Sequence, residues 1–298
     1  VKLLVTGRSG QVARALAGLT GSAAIICLGR PELNICDRAS VDRAIALHRP
    51  EVVVNTAAYT AVDKAESEPD LAFAANAGGA GNVAAAAARA GLPVIHLSTD
   101  YVFSGDKRSP YVETDPVGPA GVYGQSKLAG EEAVAAANPD HVILRTAWVH
   151  APWGGNFVRT MLRLAGERDT VRVIVDQHGT PTYAPHIADA LLAVARYVIA
   201  ARDGGAWRGV FHMTSAGETT WAGFAERVFA AARHSGLNSA SVVPIATSEY
   251  PTAARRPANS RLDNTRFDAV FRAPLPAWQV GVDACVAALA AASEPSAR

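Results

Sequence analysis

The sequence predicts an α/β protein built on a doubly wound parallel sheet, followed by a smaller C-terminal α/β domain. Three observations carry this. Strand-like and helical stretches alternate through the first 150 residues. The strand-like runs are continuously apolar, as in strands covered on both faces. Beyond Trp148 the rhythm changes, which places the first domain at residues 1–150 and the second mainly at 151–298, with segments near 183–215 returning to complete the first. A chain of 298 residues exceeds one ordinary core. Its 49% hydrophobic and 18% charged residues describe a well-buried interior. The net charge is +1 and no Lys/Arg block stands out, so neither nucleic acid nor a membrane surface is an expected partner. The first strand starts at Lys2, leaving no room for a signal peptide, and no apolar run reaches membrane-spanning length. A cytoplasmic location is expected. Cys27, Cys36 and Cys285 are odd in number and far apart, which disfavours a disulfide framework or a zinc site.

Lys2–Thr6 is a short β-rich run, followed by a helix carrying Val12, Leu16 and Leu19 on one side. Ala24–Leu28 is the second strand, and a helix around Ser40–Leu47 starts from Ser40 as N-cap. Strands follow at Glu51–Asn55, Pro93–Ser98 and His141–Thr146, separated by helices at Gly81–Ala90 and Tyr123–Ala137. The alanine-rich tract in the first of these helices fits a packed helix, since alanine is the best helix former. In the second half, Phe157–Ala165, Ile187–Ile199 and Thr220–Ala232 read as helices, and Thr170–Val175 and Val210–Met213 as strands. Val243–Leu262, rich in Pro and Arg, reads as a long functional loop. A last helix ends near Ala292, with 293–298 frayed.

Gly7-x-x-Gly10-x-x-Ala13 joins the first strand to the first helix. Glycines there let the backbone approach a pyrophosphate, as in Rossmann-type dinucleotide sites, although the spacing is tighter than G-x-G-x-x-G. An acid at the end of the second strand would bind the ribose 2′-hydroxyl of NAD. Here the strand ends Leu28-Gly29-Arg30, so Arg30, helped by Arg8, is available for a 2′-phosphate. This favours NADPH, while Glu32 keeps NADH as an alternative. Asn55-Thr-Ala-Ala-Tyr59 closes the third strand with small residues against which a dinucleotide could lie. Arg255-Arg256 could clamp a diphosphate or simply be solvated.

Tyr123 and Lys127 lie four apart on one predicted helix and share a face. An ammonium beside a phenol favours phenolate and lowers the tyrosine pKa toward working pH, so the hydroxyl can give or take a proton. Thr99, ending a buried strand, can hydrogen-bond the same reacting oxygen.

In register, Thr6-Gly-x-x-Gly10, Asn55-x-Ala-Ala58, Ser98-Thr-Asp100 and Tyr123-x-x-x-Lys127 resemble the extended short-chain dehydrogenase/reductase superfamily. Further strings resemble its dTDP-4-dehydrorhamnose reductase family: Ala57-Ala-Tyr-Thr-Ala-Val-Asp63, Ser98-Thr-Asp-Tyr-Val-Phe103, Arg145-Thr-Ala-Trp148, Asp176-Gln-x-Gly-x-Pro-Thr182 and Arg256-Pro-x-x-Ser-x-Leu262. The resemblance implies Thr99, Tyr123 and Lys127 as the catalytic set. It implies Gly7, Arg8, Gly10, Gln11, Val12, Arg30, Asn34, Ile35, Ala57, Ala58 and Tyr59 around the cofactor, with Tyr123 and Lys127. It implies Thr99, Asp100, Tyr101, Trp148 and Asn156 around a nucleotide-sugar substrate, with Trp148 against the base. Asn34-Ile35 stands where relatives have Asp-Ile, His150 replaces an expected Tyr, and no glutamate follows Gln11-Val-Ala. Some relatives use carboxylates there in a magnesium-linked dimer, so no metal site is expected and a homodimer stays open. Two rivals share the resemblance: a superfamily epimerase or dehydratase, and a non-catalytic subunit like the regulatory partner of methionine adenosyltransferase. Tyr101 after Asp100, in place of the glutamate of dehydratases, argues against elimination.

Overall fold

The computed structural model describes residues 1–21, 23–202 and 204–293; of the frayed end expected at 293–298, residues 294–298 lie outside the described part. Six strands form the main sheet: β1 (Lys2–Thr6), β2 (Ala24–Leu28), β3 (Val52–Asn55), β4 (Val94–Thr99), β5 (His141–Thr146) and a sixth, Gly209–His212. Their spatial order is sixth–β5–β4–β3–β1–β2, and every pair is parallel. The order reverses between β1 and β3. In such sheets the crevice at the carboxyl ends of the switch-point strands is where ligands bind.

The continuously apolar strands are explained by what covers them. Leu3, Val5, Val52 and Val54 face one way, toward Ile187, Leu191, Val194 and Val198 of the helix Ala184–Ala200. Leu4 and Val53 face the other way, toward Val41 and Ile45 and toward Val83, Ala84 and Ala87 of the helix Ala80–Arg89. Period-2 alternation thus divides the side chains between two buried faces rather than between core and water. A separate apolar cluster lies beyond, where Val158, Val171, Val173, Phe224, Val228 and Val282 pack together. It underlies a parallel pair formed by Thr170–Ile174 and Ser241–Ile245.

Two local expectations are corrected, and a third stretch holds elements that the sequence did not predict. Ser40 is not the N-cap: the helix runs Arg38–His48, and the Asp37 carboxylate accepts from Ala39 N at 3.0 Å. The Ser40 hydroxyl instead accepts from Asn34 N at 3.1 Å. The stretch read as loop from Val243 begins inside the Ser241–Ile245 strand, and a helix, Thr265–Phe271, follows it. Pro244 made that strand read as a breaker, although a strand with a single neighbour tolerates proline. Between β3 and the Ala80–Arg89 helix the chain forms two short helices, Val62–Ala65 and Pro69–Phe73, and a π-helical segment, Ala74–Gly79. These are too short to show a period in the sequence.

The helix Val122–Ala137 packs against β4 and β5 through a buried ion pair. Arg145 Nε donates to Glu131 Oε1 at 2.9 Å and Nη2 to Oε2 at 2.7 Å, while the Ser98 hydroxyl donates to Oε1 at 2.5 Å. The guanidinium also lies 4.9 Å from the Phe103 ring centre. Removing one member leaves an uncompensated charge in the core. Arg145→Met should therefore lower stability by about 3–5 kcal/mol, and adding Glu131→Leu should recover most of that loss, as read by urea denaturation.

Candidate active site

The switch-point crevice is shaped by the turns after β1 and β3. Gly7 sits at φ +84°, and a Cβ there would come within 2.9 Å of the Ala57 backbone. Glycine is needed both for the left-handed turn and for this approach. The two turns are tied by Ala57 N donating to Thr6 Oγ1 at 3.2 Å and by Thr56 Oγ1 donating to Thr6 O at 2.6 Å. Gly10 has no side chain to cap the helix Gln11–Ala17, whose first residues are Gln11 and Val12. Beyond β2, Arg30 is exposed and Arg8 Nη1 donates to Glu32 Oε1 at 3.0 Å, both side chains about half exposed. Ile35 is buried against Gly79, and Asn34 turns its amide oxygen to Cys36 N at 3.2 Å. Ala58 and Tyr59 follow Ala57, and the Tyr59 hydroxyl donates to Glu68 at 2.6 Å. Gly7 and Gly10 leading into the helix Gln11–Ala17, with Ala57 close by, suit the approach of a dinucleotide phosphate, and Arg8 and Arg30, just beyond β1 and β2, add positive charge.

The ends of β4 and β5 lie side by side, with Thr99 paired to Thr146, two residues before Trp148. Thr99 is buried; its hydroxyl donates to Asp100 Oδ1 at 2.9 Å and accepts from Tyr101 N at 3.2 Å. The Tyr101 ring meets the Tyr123 ring edge-on at 5.5 Å. This contact needs Gly124, because a Cβ there would run into the Tyr101 carbonyl oxygen. Thr99, Asp100, Tyr101 and Tyr123 are thus brought together. Lys127 lies one turn deeper, its amine donating to Leu97 O at 2.7 Å with His96 Nε2 at 3.4 Å.

Trp148, at φ +47°, stacks on Trp221 with ring centres 3.7 Å apart. Asn156 is held internally. Its amide donates to Gln11 Oε1 at 2.9 Å and Ala151 O at 2.8 Å, and its oxygen accepts from Arg159 N at 3.2 Å. It therefore links the glycine turn to the helix Phe157–Ala165. Arg256 is engaged by Asp63, at 3.1 and 2.6 Å, whereas Arg255 is exposed near Asp106.

Sequence reasoning missed four residues of this site. Asn76, in the π-helical segment, accepts from Tyr59 N at 2.8 Å and donates to Tyr59 O and the Ser126 hydroxyl. Glu131 continues the Tyr123, Lys127 stripe at the same four-residue spacing, a signal that was readable. His96 is a single histidine inside a buried strand and Trp221 shares the apolar face of its helix with Phe224 and Val228, so neither carries a sequence signal of a site.

The electrostatics correct one expectation. Lys127 does not lower the Tyr123 pKa here; burial pushes the phenol up to about 12, the nearby Asp100 carboxylate adds to this, and the Thr99 hydroxyl pulls the other way. The physical reason is direction: the amine points at the Leu97 carbonyl of β4, and desolvation outweighs a charge not aimed at the phenol. Lys127 itself is lowered to about 8 by burial, partly offset by Glu131. Burial also raises Asp100 to about 6, with Thr99 and Ser260 hydroxyls opposing. Because the folded state holds this proton more tightly than the unfolded chain, stability falls as pH rises from about 4 to about 6. Asp100→Asn should thus be more stable than the parent protein at pH 7.5 by roughly 3 kcal/mol, and the difference should vanish near pH 4 in paired urea melts.

A model of the RmlD substrate binding domain matches residues 1–291. A dTDP-4-dehydrorhamnose reductase from Sinorhizobium fredii is 48% identical over 94% of each chain. A crystal structure of a dTDP-4-dehydrorhamnose reductase from Clostridium acetobutylicum superposes with TM-score 0.88 at 36% identity, covering 97% of this chain and 99% of that one. The reductase from Bacillus anthracis, solved in complex with NADP, gives TM-score 0.88 at 32% identity over 95% and 98%. The fold, its crevice and this similarity along nearly the whole length lead to one conclusion: the chain belongs to the dTDP-4-dehydrorhamnose reductase family of oxidoreductases.

Proposed function

We propose that this protein reduces the C4 keto group of dTDP-4-dehydrorhamnose to the alcohol of dTDP-L-rhamnose, using NADPH, in the cytoplasm. The observation that carries the reading is the cluster of Thr99, Asp100, Tyr101 and Tyr123 at the carboxyl end of β4, beside a crevice suited to a dinucleotide. NADPH, when bound, supplies the hydride for the carbonyl carbon. Tyr123 supplies the proton: a phenol pushed up to about 12 is fully protonated at neutral pH, the form a donor to a developing alkoxide requires. Thr99 lies at the same oxygen, where its hydroxyl stabilises charge as it develops once its single proton turns from Asp100 to the substrate. Without substrate, Asp100 accepts that proton and holds the Thr99 side chain at the end of β4. Lys127, held by the Leu97 carbonyl, contributes a donor beneath the nicotinamide ribose. The Trp148–Trp221 stack offers an aromatic wall for the thymine base.

An epimerase on this scaffold would return the hydride and leave no net oxidation of cofactor. Tyr101 after Asp100, and Arg8 and Arg30 at the ribose end of the crevice, favour the NADPH-consuming reductase.

Two outcomes test the reading. Tyr123→Phe should lower kcat about 10²–10⁴-fold with the 4-keto sugar nucleotide while leaving NADPH affinity within about 3-fold; retention of activity would sink the proton-donor role. Arg8→Ala with Arg30→Ala should raise the KM for NADPH at least about 10-fold and leave that for NADH nearly unchanged, as measured by initial rates with each cofactor.

A further inference from the structure

A continuous chain of buried polar side chains runs beneath the crevice. The Thr6 hydroxyl is 2.6 Å from Asn55 Oδ1, the Asn55 amide nitrogen is 3.0 Å from His96 Nδ1, and His96 Nε2 is 3.4 Å from Lys127 Nζ. Thr6 and Asn55 are fully buried, and His96 and Lys127 are 1% and 2% exposed. The members come from three neighbouring strands, β1, β3 and β4, and from the helix above them, so the chain crosses the sheet at the switch point. None is required by packing alone, since apolar residues fill the equivalent positions deeper in each strand.

The geometry points to His96 as a positioning residue whose tautomer sets the charge carried by Lys127 in the reaction proposed above, on which this inference rests. Each ring nitrogen of a neutral imidazole has a fixed role, one donating and one accepting. With Asn55 oriented oxygen to Thr6 and nitrogen to His96, Nδ1 must accept. The ring proton then sits on Nε2 and points at the amine, which suits a neutral Lys127. With the Asn55 amide turned over, Nδ1–H donates to Oδ1 and Nε2 accepts from an ammonium. Thr6 serves either setting, because its hydroxyl can donate or accept. The settings differ by one proton, released from Lys127 to water in passing from the second to the first, while the imidazole keeps one proton throughout.

The surroundings of Lys127 are consistent with this poise. On its own helix the charged group that acts on it is Glu131, whose carboxylate is already held by Arg145 of β5 and the Ser98 hydroxyl of β4. From β4 it meets the Leu97 carbonyl and His96. Burial lowers Lys127 to about 8, and burial with the Lys127 charge keeps His96 neutral. The histidine therefore responds by moving its proton between nitrogens rather than by gaining one.

The test uses ¹⁵N-histidine NMR on the protein without ligand. The His96 ring should stay neutral from pH 5 to 9 and shift from Nδ1–H to Nε2–H as pH rises through the Lys127 titration, and Lys127→Met should abolish that shift. In the enzyme, His96→Phe should move the alkaline limb of the kcat/KM profile by about one pH unit or more with NADPH affinity held within about 3-fold, and His96→Gln, which keeps a donor and an acceptor, should restore the limb in part. A His96 ring that ignores Lys127→Met, or one that protonates in this range, overturns the inference. So does an unmoved limb in folded His96→Phe. If the parent protein consumes no NADPH with the keto sugar, the proposed function fails instead, and the NMR result still decides the relay. Should His96→Phe not fold, the NMR comparison and His96→Gln carry the decision.

Discussion

The structure depends on one unusual requirement: the helix Val122–Ala137 must bury a polar stripe. Lys127 and Glu131 lie one turn apart on its inner face and are almost wholly removed from water, with Tyr123 one turn before them at the lip of the crevice. A buried ammonium and carboxylate are tolerated because each has partners. Glu131 is held by Arg145 and Ser98, and Lys127 by the Leu97 carbonyl and His96. Those partners come from β4 and β5, so satisfying the stripe fixes the helix against the sheet. The helix in turn fixes Tyr123 beside Thr99. Chemistry and stability are therefore coupled through the same side chains.

Other parts of the fold serve this placement. The π-helical segment puts Asn76 between the β3 turn and Ser126, linking the crevice wall to the helix. Such a segment is an irregularity often found at functional sites. From the other end, Glu66 Oε1 accepts from Val122 N at 2.9 Å, supplying a distant cap for a helix whose own N-cap, Gly121, has no side chain. Asn156 braces Gln11 against the second half of the chain, and Arg256 braces Asp63. The glycine turn and the helix carrying Tyr123 are thus held by separate contacts spanning long stretches of sequence.

Much of this was legible from residues alone because local rules agreed with the global fold. The continuous apolar runs gave the parallel sheet, since both faces are covered, and the Tyr-x-x-x-Lys spacing put both side chains on one helical face. What was not legible depended on three-dimensional direction. The sequence suggested that Lys127 would acidify Tyr123, yet the amine turns to the Leu97 carbonyl of β4 and burial dominates both groups. The strand Ser241–Ile245 was hidden by Pro244, and the π-helix by its length. His96 carried no sign of its partners, which lie on β3 and on the helix above β4.

The central claim is that a hydride leaves the cofactor for good and reaches the sugar at C4. It can be tested directly by incubating the protein with NADPH deuterated at the transferred C4 position and the 4-keto sugar nucleotide, then following the products by NMR. The account predicts one deuterium at C4 of the product sugar, none at C3 or C5, and one equivalent of NADP⁺ formed. Deuterium retained by the cofactor with a change of sugar configuration, or product without net oxidation of NADPH, would contradict it.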